Sequence, residues 1–246
     1  VVMLRQTHSS IVFTQQLGRG LRKAEGKDHL VVIDFIGNYD NNYLIPIALF
    51  GDSSLNKDSI RKKIIDAQEA GAIAGLSSVN FDAISKERIY NSLAITKLDS
   101  MSNLKKSFEE LQNRLGRAPL LLDFTRFDLV DPNVIATKQK NYWKFLNKIG
   151  AIDAIAEEHE DSILTMLSEE LLNGKRPHEM LLLTELLSND GVLSSDSFGN
   201  LLAQNNLTAD LATLNSVIAV LSLEFFTEAE TSKYGGVPIV TFEDGV

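Results

Sequence analysis

The side chains best suited to chemistry lie close together near the N-terminus. In the run Thr14–Arg22, TQQLGRGLR, four residues spell Q-x-x-G-R-x-x-R: Gln15, Gly18, Arg19 and Arg22. Two guanidiniums three residues apart share one helical face. Each is a planar fork of donors matched to phosphate oxygens. Gly18 lacks a Cβ, so a ligand or a second backbone can come close. Gln15 is spaced to hold a water or a phosphate oxygen beside them. The chemistry open to this set is stabilisation of charge on a phosphoryl group. The competing reading is a pair of ordinary solvated helix charges, which is the commoner fate of two isolated arginines.

A second set is basic. Between Leu104 and Gly150 there are nine Lys and Arg against five Asp and Glu. Lys105, Lys106, Arg114, Arg117, Lys138, Lys140 and Lys144 are candidate phosphate contacts for a nucleic acid. Tyr142 or Trp143 could stack on an exposed base. Each has a plainer alternative: Trp143 as core, Arg117 as a brace for the turn at Gly116, the lysines as a solvated face. Metal chemistry is poorly served. His159 stands among carboxylates without a second His at i+4, and His178–Leu182, HEMLL, lacks the second histidine of a zinc-protease helix. No G-x-x-x-x-G-K-[ST] run and no D-E-x-[DH] stretch occurs, so the chain has no phosphate-cradling loop of its own.

The elements that must position the first set read strand, loop, helix, strand: Val1–Arg5, Gln6–Ser10, Ile11–Lys23 and Leu30–Phe35. Together with Q-x-x-G-R-x-x-R this order resembles motif VI of the superfamily-two helicases and translocases, with the closing strands of their second RecA-like domain. The resemblance implies that Arg19 and Arg22 act as arginine fingers on the γ-phosphate of ATP, with Gln15 positioning water or phosphate and Gly18 at the same cofactor site. It implies ATP and Mg held by the intact protein, an N-terminal motor domain outside this chain, and a C-terminal fragment inactive by itself. DFIGN, then an apolar run, then a helical region follows motif VI in a group of bacterial helicases with an uncharacterised C-terminal extension, and the whole chain is similar to that group. L-G-R-x-P, with aromatics closing the next helices, resembles a small helix-turn-helix repeat found in some bacterial helicases and homing endonucleases. That likeness implies nucleic-acid binding, with DNA the first expectation.

Composition sets the outer bounds. The 246 residues can bury a real core. With 44% hydrophobic and 23% charged residues, the chain is that of an ordinary globular protein. No apolar run is long enough to span a membrane. The absence of cysteine excludes a disulfide framework and fits a cytoplasmic location. The net charge of −9 is uneven: about neutral over residues 1–103, +4 over 104–150 and −14 over 151–246. An acidic total disfavours general polyanion binding, and the acidic end favours a protein partner or intramolecular docking onto a basic surface.

The expected fold is mainly α. Residues 1–42 form a short α/β remnant of a RecA-like domain, 43–103 a connecting α/β segment, 104–150 a helix-turn-helix-like basic module, and 151–246 an acidic, winged-helix-like module. A helix is expected to enter at Pro46, and others over Lys57–Gly71, over Asp82–Leu93 with Ile84, Ile89 and Leu93 inward, and up to Gly116. Beyond Pro119 the inner face would use Leu122, Phe124 and Phe127. A helix led by Tyr142 and stopped by Gly150 follows, then an amphipathic helical stretch over Ala151–Asn173, broken near Glu157–Asp161. Pro177–Ser188, Ser195–Gln204 and a helix capped by Thr208 come next, and Val237–Phe242 reads as strand. The function expected is the C-terminal part of an ATP-dependent helicase. The alternative is a non-enzymatic helical adaptor for protein or DNA.

Overall fold

The computed structural model describes residues 2–3, 10–20, 29–34, 36, 41–71, 78–174 and 176–241. These are mainly helical, with one small parallel sheet. The chain divides into two compact units, residues 1–134 and 135–246. The stretch expected to be one basic module is therefore shared between them.

Unit 1 opens with β1 (Val2–Met3), α1 (Ser10–Gly20) and β2 (Ile33–Asp34). The strands pair in parallel, Val2 opposite Ile33 and Met3 opposite Asp34. Parallel neighbours need a crossover, and α1 lies within it in sequence. Met3 and Phe13 are buried. Next come α2 (Leu44–Phe50), α3 (Lys57–Ala70) and α4 (Ala83–Ile95). The first of these starts two residues before Pro46, whose place in the first turn costs the helix no internal bond. Asn56 caps α3 by accepting from the amides of Asp58 and Ser59, and Gly71 closes it at φ 63°. Asp82 caps α4. Ile60, Ile64, Ile89 and Leu93 form the local core, with Phe81 and Leu98 beside them. Ile84 is not part of it: 63% exposed, it falls on the outer side of α4. The residues just before α4, Ser78–Phe81, carry no strand.

The same unit continues through α5 (Met101–Leu115) and α6 (Leu121–Arg126) into the start of α7 (Pro132–Thr137). Leu104, Phe108 and Leu111 repeat at helical spacing and are buried. Gly116, at φ 69°, ends α5 in the left-handed region that favours glycine. In α6 only Phe124 of the three expected apolar residues is buried; Leu122 and Phe127 are 54% and 40% exposed. Six residues make fewer than two turns, and the inward positions they offer go to Asp123 and Phe124. Three bonds tie the loop after α2 to this part. Ser53 Oγ donates to the Asp128 carbonyl at 2.6 Å. The Asp131 amide donates to the Ser54 carbonyl at 2.9 Å. Asn56 Nδ2 donates to Asp131 Oδ2 at 2.8 Å.

Unit 2 holds α8 (Tyr142–Ile149), α9 (Glu158–Met166), a π-helical turn (Leu167–Leu171), α10 (His178–Ser188), α11 (Ser195–Gln204), α12 (Leu211–Leu221) and α13 (Glu228–Lys233). Leu182, Phe198, Leu202, Val217 and Leu221 form one core cluster, and Met166, Leu223 and Tyr234 another. Three expectations shift here. The stretch expected as helix from Ala151, with a break near Glu157–Asp161, is helical only from Glu158, where the Glu157 amide is bound by Glu160 Oε2 at 2.9 Å in a capping arrangement. Ile155, outside it, is 88% exposed. The cap of α12 is Asp210, not Thr208: its carboxylate accepts from the Thr213 amide at 2.8 Å, and Leu211, the first residue of the helix, is 72% exposed. Val237–Thr241 is not a strand. The Ile239 and Val240 amides instead donate to the Leu221 carbonyl at the end of α12. No strand is found among the described residues of unit 2, so they supply no wing.

Candidate functional site

The motif at the N-terminus lies on α1, which has two distinct sides. Phe13 is 3% exposed and Leu17 half-buried, facing inward, and α1 packs on α2. Gln15, Gly18 and Arg19 are exposed and, at i, i+3 and i+4, form one outward stripe. Arg22, one helical turn further along the sequence, lies outside the described residues. Arg19 makes no ion pair among the described residues. Among the described residues nothing requires a glycine at position 18. Its φ is not left-handed, and a Cβ there would meet nothing within 4 Å. A glycine inside a helix costs about 1 kcal/mol relative to alanine. The residue thus keeps an outward surface flat at a cost to the helix. A cavity of about 470 Å³ lies on the inner side of α1, lined among others by Phe13, Leu17, Val32 and Asp34. The stripe does not contribute to it.

The basic candidates are less uniform. Lys105, Lys106, Arg114 and Arg117 belong to unit 1; Lys138, Lys140 and Lys144 belong to unit 2. Arg117 grips Asp123 with two bonds, of 2.7 and 3.1 Å. Asp123 also accepts from the Leu120 amide at 2.8 Å, fixing the entry to α6. The Arg117 bond, then the Leu120 amide, hold the Asp123 carboxyl below the usual carboxylate range. Lys144 is bonded to Asp161 at 2.6 Å. Asn141, 1% exposed, caps α8 through the Lys144 amide at 2.8 Å and donates to Asp161 and Thr165, both at 3.0 Å. Burial would raise the Asp161 carboxyl, but the bonds from Lys144 and Asn141 outweigh it and the group lies low. Lys105 pairs loosely with Glu109 at 3.9 Å. The Arg114 guanidinium lies 5.4 Å from the Phe127 ring centre. Lys138 is half-buried and engaged, whereas Lys106 and Lys140 are exposed. Trp143 is half-buried, its indole N–H donating to the Ala154 carbonyl at 3.0 Å.

The two histidines raised as metal candidates go separate ways. His159 is exposed at the start of α9, and no cluster of three metal-ligating side chains is found among the described residues. His178 is 7% exposed, with Nε2 3.0 Å from the Thr208 carbonyl. A carbonyl can only accept, so Nε2 carries the proton. Sequence reasoning missed the acid beside His178. Glu179 is 4% exposed and takes bonds from Arg176, which also donates to Ser216 Oγ at 3.1 Å. The i, i+3 spacing of Arg176 and Glu179 at a helix start was the available signal.

A comparison with known proteins bears on the second half of the chain. Residues 104–246, more than half of it, match the model of a family described as a domain of unknown function, DUF8090. The chain belongs to this family. The DUF8090 region opens inside α5 and contains every basic candidate together with the acidic end. Its 12 Lys and Arg against 22 Asp and Glu make it acidic as a whole. The outward stripe on α1 lies before it. Among curated proteins, none matches the chain. Among the described residues, no helix is long and apolar enough to cross a membrane.

Proposed function

We propose that this chain is the C-terminal part of an ATP-dependent superfamily-two helicase or translocase, with α1 as its motif VI helix. The observation carrying this reading is the outward stripe of Gln15, Gly18 and Arg19, with no ion pair to Arg19 among the described residues, on a helix between two parallel strands. In the intact protein, Arg19 and Arg22 reach across a cleft to ATP held with Mg by the preceding motor domain. As the bond to the γ-phosphate breaks, negative charge spreads over its oxygens. Guanidiniums already in place stabilise that charge without reorganisation. Gln15 orients the attacking water. Gly18 leaves room for the opposite domain to approach. This chain alone hydrolyses no ATP, because the phosphate loop and the Mg-binding carboxylates lie on the other side of the cleft.

The test is steady-state ATPase of the full-length protein. Arg19→Ala and Arg22→Ala should each lower turnover by about a thousand-fold or more while leaving ATP affinity within several-fold. Unchanged turnover would remove the finger assignment.

A second reading concerns the DUF8090 region. Its acidic excess, and the engagement of Arg117 and Lys144 with carboxylates, favour a docking role towards protein over a broad nucleic-acid surface. Among the described residues, exposed cations outside those two pairs include Lys106 and Lys140, with Arg126 and Lys148.

A further inference from the structure

Unit 2 contains a pocket of about 210 Å³ that none of the candidate residues lines. Glu179 is its buried carboxylate, brought there by the first turn of α10. Glu170 is its exposed one, brought there by the π-helical turn. Such turns recur at functional sites, because the extra residue re-aims a side chain at a cost to the helix. Both carboxylates are held in advance. Arg176 binds Glu179 and is itself braced on Ser216. The buried Tyr234 hydroxyl donates to Glu170. Burial, then that bond to Glu170, push the Tyr234 phenol up, so it remains a donor. Leu171 and Val220 add apolar wall, and Met180 and Phe225 are exposed around it at 47% and 68%.

Size and charge narrow the occupant. The volume is below the roughly 300 Å³ at which pockets for whole small molecules begin, so a single long side chain fits better than a nucleotide. Among the described lining residues, two carboxylates stand against one guanidinium, and that guanidinium is already committed. An anion entering here would meet Glu170 and Glu179. A side chain with an apolar stem and a cationic head meets apolar wall, then carboxylates, with an aromatic ring for the cation. The −14 charge of residues 151–246 repels nucleic acid and attracts basic protein surfaces.

We propose that this pocket receives a lysine or arginine side chain from a basic segment of a partner protein, with its stem on Leu171 and Val220 and its charge between Glu170 and Glu179. The proposal does not rest on the motor reading.

The test uses the full 246-residue chain labelled at its methionine methyls, with Met180 as reporter. The probes are N-acetyl-arginine amide, N-acetyl-lysine amide and the neutral N-acetyl-citrulline amide. The cationic probes should shift the Met180 signal saturably. Citrulline should bind at least ten-fold more weakly. Glu170→Gln should weaken the cationic probes at least ten-fold while keeping the Tyr234 bond, and Glu158→Gln, an exposed acid outside the pocket, should leave them unchanged. No saturable shift would overturn the proposal, as would an equal response to citrulline or an equal loss in Glu158→Gln. So would a Met180 signal that moves with protein concentration alone, which would indicate a second copy, or one that a DNA oligonucleotide moves.

Discussion

Arg19 and Arg117 lie near the two sequence ends of unit 1 and carry the same side chain, yet their surroundings differ. Arg117 spends both arms of its guanidinium on Asp123 and so fixes the turn into α6. Arg19 stands on an exposed stripe beside a glycine the helix does not need, with no carboxylate bonded to it among the described residues. Counting cations therefore overstates the basic module, because two of its seven candidate contacts are structural struts. Among the described residues, Arg117 and Lys144 are bonded to carboxylates of the chain and Arg19 is not.

The largest effects should come from the arginines themselves. If the contrast holds, Arg19→Ala abolishes most ATP turnover in the full-length protein, by about a thousand-fold or more, with its thermal midpoint unchanged. Arg117→Ala should do the reverse, lowering the midpoint of unfolding and sparing turnover. Equal loss of turnover in the two would erase the distinction.

Next in size are the apolar anchors of the basic stretch. Phe124 and Phe145 are fully buried, and truncating either to alanine should cost about 3–5 kcal/mol in denaturant unfolding. A loss under about 1 kcal/mol would mean that these helices are loosely packed and available for another role. Asn141→Ala removes the cap of α8 and leaves Thr165 and Asp161 short of a donor. A loss of about 2 kcal/mol is expected by the same assay.

Acid should act on buried carboxylates rather than on the α1 stripe. Burial raises the Asp52 carboxyl, but bonds from Ser54, Lys63 and Ser59 outweigh it, so its folded value lies below the ordinary one. Its contribution is then complete above about pH 4, the unfolded value, and is lost as pH falls through the lower folded value. Urea midpoints measured from pH 6 to pH 2 should drop less steeply in Lys63→Met than in the unchanged chain. Parallel curves would exclude Lys63 as a cause.

The smallest expected effect distinguishes the remaining lysines. If the full-length protein binds DNA, Lys106→Ala should reduce the salt slope of binding by about one unit. Lys144→Met should leave the slope unchanged and lower stability instead. A slope change from Lys144 would return it to the nucleic-acid surface.

Helix ends were legible where one residue type has one physical use. Gly71, Gly116 and Gly150 each close a helix at positive φ, between 63° and 74°, and the sequence placed all three. The inward faces of short helices were not legible. Ile84, Leu122 and Phe127 have the right spacing, but apolar spacing does not say how many turns another element covers. Partners across a turn were also hidden, since nothing in L-G-R-x-P says that Asp123, six residues on, will meet Arg117. The stripe on α1 could be read because one helix carries all of it. The pocket built from Glu170, Arg176 and Glu179 could not, because a π-helical turn, a loop and a helix start supply it together.

The reading of α1 is tested most directly by the structure of the full-length protein with Mg, ADP and a fluoroaluminate at the γ-phosphate position. Arg19 should donate to the fluoroaluminate at about 2.7–3.2 Å, with Gln15 beside the attacking water. Arg19 left in solvent, or bonded to a carboxylate of its own chain in that complex, would contradict the account.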